Sequence, residues 1–253
     1  VALPDIYGVS IRYFTEILPR MGVSVRWAAS LVPDDVAACV SDKTKVIFAE
    51  TPTNPLVRIV DLAAIAEVAK HANATLVVDG TLGGPMNQHP LALGADLVIH
   101  SATKYLNGHG DVLAGAVVGG RAHLRGVRSM QPAQGGVMDP HAAWLLMRGM
   151  ATYPLRMAQH NVAGQAIADF LDAHPAVAKV HYPGLSSHAD HALAKRQMTG
   201  FGGLLSFEMH TSQAARHVVD ATRLFAIGPS VGGVESLISQ PGNTSHYSIS
   251  ADQ

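Results

Sequence analysis

Cysteine is nearly absent from this sequence: Cys39 is the single one in 253 residues. A lone thiol excludes an intrachain disulfide and any metal site built on several cysteines. It fits a reducing compartment, and a cytoplasmic location is expected. Charge is scarce too, at 15% of residues, with a formal net charge of −1. That leaves no basic footprint for a phosphate backbone, so no nucleic-acid partner is expected. Long hydrophobic runs are also missing. No apolar stretch approaches the roughly 20 residues that a membrane-spanning helix needs, and no membrane partner is expected. The opening "VALPDIYG" lacks the basic, apolar and small-residue order of a secretory signal. There is no internal repeat or low-complexity tract. The sequence opens in strand-like residues without a methionine and stops after "SISADQ", so it is expected to be an internal portion of a longer protein.

What is present is apolar and periodic. Hydrophobic residues make up 48% of the chain, enough for a substantial core. Short apolar runs alternate with helical patterns through the first half, the signature of a parallel sheet with crossover helices. "TKVIFAE" (44–50), "TLVVDG" (75–80) and "GADLVIH" (94–100) read as strands. Between the first two, "DLAAIAEVAKHA" (61–72) carries Leu62, Ile65, Ala66 and Ala69 at helical spacing behind Asp61, a suitable N-cap. "LAGAVVGG" (113–120) reads as a further strand buried in the sheet. From about Pro140 the texture changes. Two helical patterns, "PHAAWLLMRGM" and "RMAQHNVAGQAIADFLDAH", lead into "VAKVHYPG", "GGLLSFEMH" and "TRLFAIG", which suggest a smaller α+β unit. A boundary near residue 155 follows, dividing the chain into 1–155 and 156–253.

The residues that can do chemistry stand at strand ends, where an open parallel sheet presents its loops to a ligand crevice. Asn54 follows the first strand, Asp79 closes the second, and Ser101, Thr103 and Lys104 follow the third. Each has a plain alternative: Asn54 before Pro55 is turn chemistry, Asp79 could cap the next element, and the hydroxyls could satisfy loop backbone groups. Together they match the needs of an aldehyde cofactor with a phosphate and a protonatable ring nitrogen. An amine forms the imine, an acid faces the nitrogen, and hydroxyls hold the phosphate; pyridoxal 5′-phosphate is that cofactor. Other constellations are weaker. His188 and His191 in "SSHADH" lack a third ligand, so no metal is expected. His109 and Asp111 read as loop-ordering residues, and "VGG" and "GGVMD" lack the strand–GxGxxG–helix setting of a dinucleotide site.

Six blocks, "ETPTNPLVRIVDL", "LVVDGTLGGP", "LGADLVIHSATKYLNGHGDVLAG", "VHYPGL", "GFGGLLSFE" and "SVGGVESLI", resemble, in order, the Cys/Met metabolism family of pyridoxal-phosphate enzymes. The resemblance implies the fold type I of pyridoxal-phosphate-dependent transferases. That is an α/β fold with a mostly parallel, seven-stranded-type sheet in a large cofactor-binding domain (1–155) and a smaller α+β C-terminal domain (156–253). It implies that Lys104 bears the cofactor as an imine, that Asp79 pairs with the pyridine nitrogen, and that Ser101 and Thr103 bind the phosphate. Asn54 would lie near the ring oxygen. Tyr7, in "DIYGVSIRYF", would stack over the ring and protonate a departing γ-group. Ser230 would help hold the substrate carboxylate.

Implied too are replacement at Cγ of an activated homoserine, with γ-elimination as the alternative, an amino-acid substrate with cysteine or another thiol as acceptor, and a homotetramer built as a dimer of dimers. An aminotransferase or a non-catalytic relative are the remaining readings. An N-terminal arm carrying a Tyr and an Arg for a neighbour's phosphate would precede Val1, and a carboxylate-gripping arginine would follow Gln253. Three positions depart from the family pattern. Gly80 stands where an asparagine is usual, Val9 where a glycine or cysteine is expected, and Pro229 resembles the plant-type cystathionine γ-synthases.

Overall fold

The fold is described here for residues 1–243 by a computed structural model, so residues 244–253 of the expected smaller domain lie outside the described residues. Its centre is a four-stranded sheet in the order β1 (Val46–Glu50), β2 (Thr75–Asp79), β3 (Leu97–Ser101), β4 (Gly115–Gly119). The first two pairings are parallel and the last antiparallel, so the sheet is mostly parallel as expected, with four strands among the described residues rather than seven. In β2 and β3 half-buried and fully buried residues alternate, as a period of two requires when the two faces have different covers.

The more deeply buried face, Ile47, Ala49, Leu76, Val78 and Val98, packs against the helix over Leu62–His71 through Leu62, Ile65 and Ala69. The cap read from the sequence is there: the Asp61 carboxylate accepts a hydrogen bond from the Ala64 amide at 3.1 Å. Removing it with Asp61→Ala should cost about 1 kcal/mol, read as a lowered thermal midpoint with the site geometry intact.

The reading of 113–120 as a buried strand needs correction. Among the described residues β4 stands at the end of the sheet order, with Val118 47% exposed and Leu113, just before it, 89%. The helix that follows it, Arg121–Gln134, touches β4 but buries none of its own residues. An apolar run records that a strand tolerates burial, not that a partner is available to bury it.

Along the chain the helices are α1 (Gly8–Arg12), α2 (Pro33–Ala38), α3 (Leu62–His71), α4 (Gly84–Asn87), α5 (Arg121–Gln134), α6 (Pro140–Met150), α7 (Tyr153–Asp172), α8 (His191–Gln197) and α9 (Ser212–Ala221). After α7 come an antiparallel pair, β5 (Val177–His181) with β6 (Ser206–Met209), and a short parallel pair, β7 (Ala226–Ile227) with β8 (Leu237–Ile238). The 20-residue α7 serves two cores. Its start, Tyr153 and Met157, packs with Leu82, Ala102, Tyr105 and Leu106. Farther along, Ala168 packs with Val180, Tyr182 and Leu185. The division expected at 155/156 falls in the first turn of this helix. No helix among the described residues is long and apolar enough to cross a membrane.

Candidate functional site

Register places three polar residues on one face at the C-terminal ends of the parallel strands. Glu50 lies opposite Asp79, and Asp79 opposite Ile99, two residues before Ser101. Because side chains alternate, all three point away from the face packed on α3. Asp79 Oδ1 accepts two hydrogen bonds from Thr81, from the amide at 2.9 Å and the hydroxyl at 2.5 Å. Its Oδ2 accepts none among the described residues. Burial pushes the Asp79 carboxyl above the usual carboxylate range, while the Thr81 bonds and the nearby His100 pull it back. His100 in turn is lowered by its own burial. Gly80 makes room for that histidine: a Cβ there would come 3.1 Å from His100 Cε1 and 3.2 Å from Val98 Cγ1. The departure at residue 80 thus has a packing counterpart on β3.

Lys104 sits in a tight turn just past β3, where its amide donates to Ser101 O and the Gly108 amide donates to Lys104 O. Lys43, Lys45, Lys70, Lys179 and Lys195 are exposed, whereas Lys104 is half-buried. Its ammonium makes no ion pair among the described residues, and burial alone lowers its pKa, which favours the neutral amine. Its Nζ donates to Ser230 Oγ at 3.2 Å, across 126 positions of sequence. The segment 230–234 reaches this place because Gly232, at φ +76°, lies against Tyr105: a Cβ would stand 2.7 Å from the Tyr105 amide nitrogen. The Val234 amide also donates to Gly108 O at 3.1 Å.

The hydroxyls differ. Ser101 Oγ makes no hydrogen bond among the described residues, although the Ser101 amide donates to Thr81 Oγ1 at 2.8 Å. Thr103 Oγ1 is engaged with Ala114, accepting from its amide at 2.9 Å and donating to its carbonyl at 3.3 Å. Tyr7 is the N-cap of α1; its amide donates to Glu50 Oε2 at 2.8 Å, and its side chain is 43% exposed. Val9 is exposed on α1, and Pro229 is exposed next to Ser230. Asn54 lies in the turn after β1, joined to Pro55 by a cis peptide. The structure thus joins Lys104 to Ser230 and sets Asp79 and Ser101 on one sheet face, while among the described residues no hydrogen bond ties Tyr7 to Lys104.

His109 and Asp111 order the loop, as read: His109 Nδ1 lies 2.7 Å from Asn107 O, and Asn107 Nδ2 donates to Asp111 Oδ1 at 2.7 Å. His188 Nδ1 accepts from the Asp190 amide, and His191 Nδ1 lies 2.8 Å from Pro183 O. Among the described residues no three His, Cys, Asp or Glu side chains gather as a metal site would need.

Two residues of the site carry no role in the sequence reading. Glu50 ends "TKVIFAE" without a chemical role of its own there. Arg156 lay in a helical pattern, yet its guanidinium donates to Tyr105 O at 2.7 Å, Leu106 O at 3.1 Å and Gly149 O at 3.0 Å. Neither has a local signature; only a Glu ending a strand opposite an Asp-ended strand could have singled one out.

The donor set fits pyridoxal 5′-phosphate. Among the described residues it offers a half-buried amine without an acidic partner, a carboxylate with one oxygen open for a protonated ring nitrogen, and a hydroxyl without a bond of its own. Comparison with known proteins agrees. The family model described as "Cys/Met metabolism PLP-dependent enzyme" matches residues 1–253. The cystathionine gamma-lyase of Bacillus subtilis is 44% identical over 250 residues, which are 98% of this chain and 66% of that protein. The chloroplastic cystathionine gamma-synthase 1 of Arabidopsis thaliana is 42% identical over 259 residues, 100% of this chain and 45% of that one. The crystal structure of cystathionine gamma synthase from Xanthomonas oryzae pv. oryzae, in complex with aminoacrylate and cysteine, superimposes with a TM-score of 0.95. It is 42% identical, and the match covers 99% of this chain and 65% of that chain. The chain spans just under two thirds of the length of the first curated relatives that it matches.

Proposed function

This chain belongs to the Cys/Met metabolism PLP-dependent enzymes, and from that premise we propose that it acts on amino acids bearing a leaving group at Cγ. It replaces that group with a thiol, as a cystathionine γ-synthase does. The observation that carries the proposal is the Lys104 amine: half-buried, without an acidic partner among the described residues, and 3.2 Å from Ser230 Oγ beside the strand ends that hold Asp79 and Ser101.

When bound, pyridoxal 5′-phosphate supplies an electron sink for the charge left at Cα once a proton is removed there. Lys104 Nζ would hold the cofactor through an imine and, once freed, would take the Cα proton, hand it on toward the cofactor, and so be free again to take one from Cβ. Asp79 Oδ2 would keep the ring-nitrogen proton in place. The Ser101 and Thr103 hydroxyls would bind the phosphate, Thr103 by turning its hydrogen from Ala114 O. Asn54 would orient the ring oxygen. Tyr7 Oη gives a proton to the departing γ-group, and Ser230 Oγ orients the substrate carboxylate. The thiol acceptor is cysteine, the assembly a homotetramer arranged as a dimer of dimers, and the location the cytoplasm, in keeping with the unpaired Cys39. The cofactor-bearing unit is residues 1–155, and 156–253 belong to the smaller one.

γ-Elimination to a 2-oxo acid and ammonia is the second reading. The 44% identical Bacillus relative, named a lyase, favours it, and both outcomes use the same residues. A panel of homoserine esters, cystathionine and methionine, assayed with and without cysteine, tests the proposal. Replacement predicts cystathionine from a homoserine ester, with 2-oxobutanoate suppressed by cysteine. Elimination predicts 2-oxobutanoate whether or not cysteine is added. Amino transfer to an added 2-oxo acid, or no turnover of any member, would overturn the proposal.

A further inference from the structure

Glu50 ends β1, is 4% exposed, and lies directly across the parallel register from Asp79. Its Oε2 accepts the hydrogen bond of the Tyr7 amide at 2.8 Å. Apart from it, the Tyr7 backbone makes one bond among the described residues: its carbonyl accepts from the Ile11 amide at 3.0 Å, which ties it to α1 and not to the sheet. Ile6 is buried just before it, but α1, which Tyr7 caps, has no buried residue. The Tyr7 side chain caps nothing, and its phenol has no hydrogen-bond partner among the described residues. The ring's place is therefore set by the backbone from which it projects.

We propose that Glu50 is a positioning residue, a role that rests on the reading of Tyr7 and Asp79 given above: its carboxyl group fixes the backbone at Tyr7 to the strand end that carries Asp79. Two carboxyl groups side by side in a dry site do not both ionise readily. The charged and titratable groups around Glu50 are Asp79 on β2 and Asp5 in the segment before α1, with His100 on β3 acting electrostatically on Asp79. Burial first, then Asp79 and Asp5, push Glu50 up to about 8, with the Tyr7 amide opposing. At neutral pH Glu50 then keeps its proton, which spares Asp79 a negative charge beside it. The neutral acid still accepts the Tyr7 amide through an oxygen lone pair.

The sign of the pH effect follows. Between the ordinary carboxylate range and about 8, the folded chain holds a proton on Glu50 that the unfolded chain has lost. Stability therefore falls as pH rises through that interval. Glu50→Gln keeps an acceptor for Tyr7 and removes the titration, so its thermal midpoint should fall less across the same interval.

Hydrogen exchange on the cofactor-free protein tests the positioning directly. Loss of one such bond corresponds to about tenfold faster exchange at the Tyr7 amide. That acceleration is expected in Glu50→Ala and not in Glu50→Gln. On the loaded enzyme, Glu50→Ala and Tyr7→Phe should lower turnover to a similar extent, and the double variant should be no worse than Tyr7→Phe. Unchanged exchange in Glu50→Ala, or fully additive losses in the double variant, would overturn the proposal. Should Glu50→Ala fail to fold, Glu50→Gln decides alone: an unaltered pH slope of its midpoint counts against the proposal. A wild-type protein that takes up no cofactor would sink the functional reading, while the exchange result would still judge Glu50.

Discussion

Lys104→Ala is expected to abolish covalent retention of the cofactor and to lower turnover by about 10²–10⁴-fold or more, while leaving the fold intact. Both halves follow from the surroundings of the amine. Its one hydrogen bond, to Ser230 Oγ at 3.2 Å, is solvent-accessible, and it makes no ion pair among the described residues. Its removal should change stability by no more than about 0.5 kcal/mol. Loss of the visible absorbance of bound cofactor, with an unchanged thermal midpoint in the cofactor-free protein, is the expected pair of results. Lys104→Arg should behave the same way: a guanidinium keeps the charge but stays protonated and cannot form an imine. The exposed Lys43, Lys45, Lys70, Lys179 and Lys195 lack the desolvation that favours a neutral amine. Covalent retention in Lys104→Ala would move the chemistry to one of them and remove the basis of the proposed function.

The reason Lys104 could be singled out in the sequence is that the signals around it are local. Asp61 before a helical repeat, the two-residue period of β2 and β3, and polar residues at successive strand ends all lie within a few residues of the element they define. Register then converts chain position into proximity, because parallel neighbours of similar length end together. What escaped the sequence is what depends on a partner from elsewhere. The apolar 113–120 run gives no sign that it stands at the end of the strand order and stays half-exposed among the described residues. The Ser230 contact could be expected only through resemblance, because what brings it to Lys104 is the close passage of Gly232 over Tyr105. Thr103, matched to a phosphate role, has its hydroxyl engaged by Ala114 as well, a contact set by how the 102–108 turn meets β4. A lone arginine or glutamate inside a periodic segment reads as solvated face or strand end until the fold supplies its neighbours.

Arg156 carries the second large expected effect. Its guanidinium gathers three carbonyl oxygens, Tyr105 and Leu106 from the turn after Lys104 and Gly149 from α6, and its Nε donates to Thr152 Oγ1 at 3.1 Å. Gly108 closes over the same group: a Cβ there would overlap the guanidinium. Arg156→Ala leaves the carbonyls of a largely buried turn without donors, and partial access of water offsets part of the loss. A cost of about 2–3 kcal/mol is expected, seen as a lower denaturant midpoint at unchanged m-value. Arg156→Lys should recover less than half, because an ammonium is a point charge and lacks the planar fork that spans several acceptors. The turn that loses its clamp also carries the reactive amine. If even about 1.4 kcal/mol of the loss falls on the geometry of Lys104, cofactor affinity drops about tenfold, which titration of the refolded variant with cofactor would measure. A variant with lowered stability but wild-type cofactor affinity would confine Arg156 to holding α6 and α7 to the sheet. Loss of both would make the clamp part of how the amine is aimed.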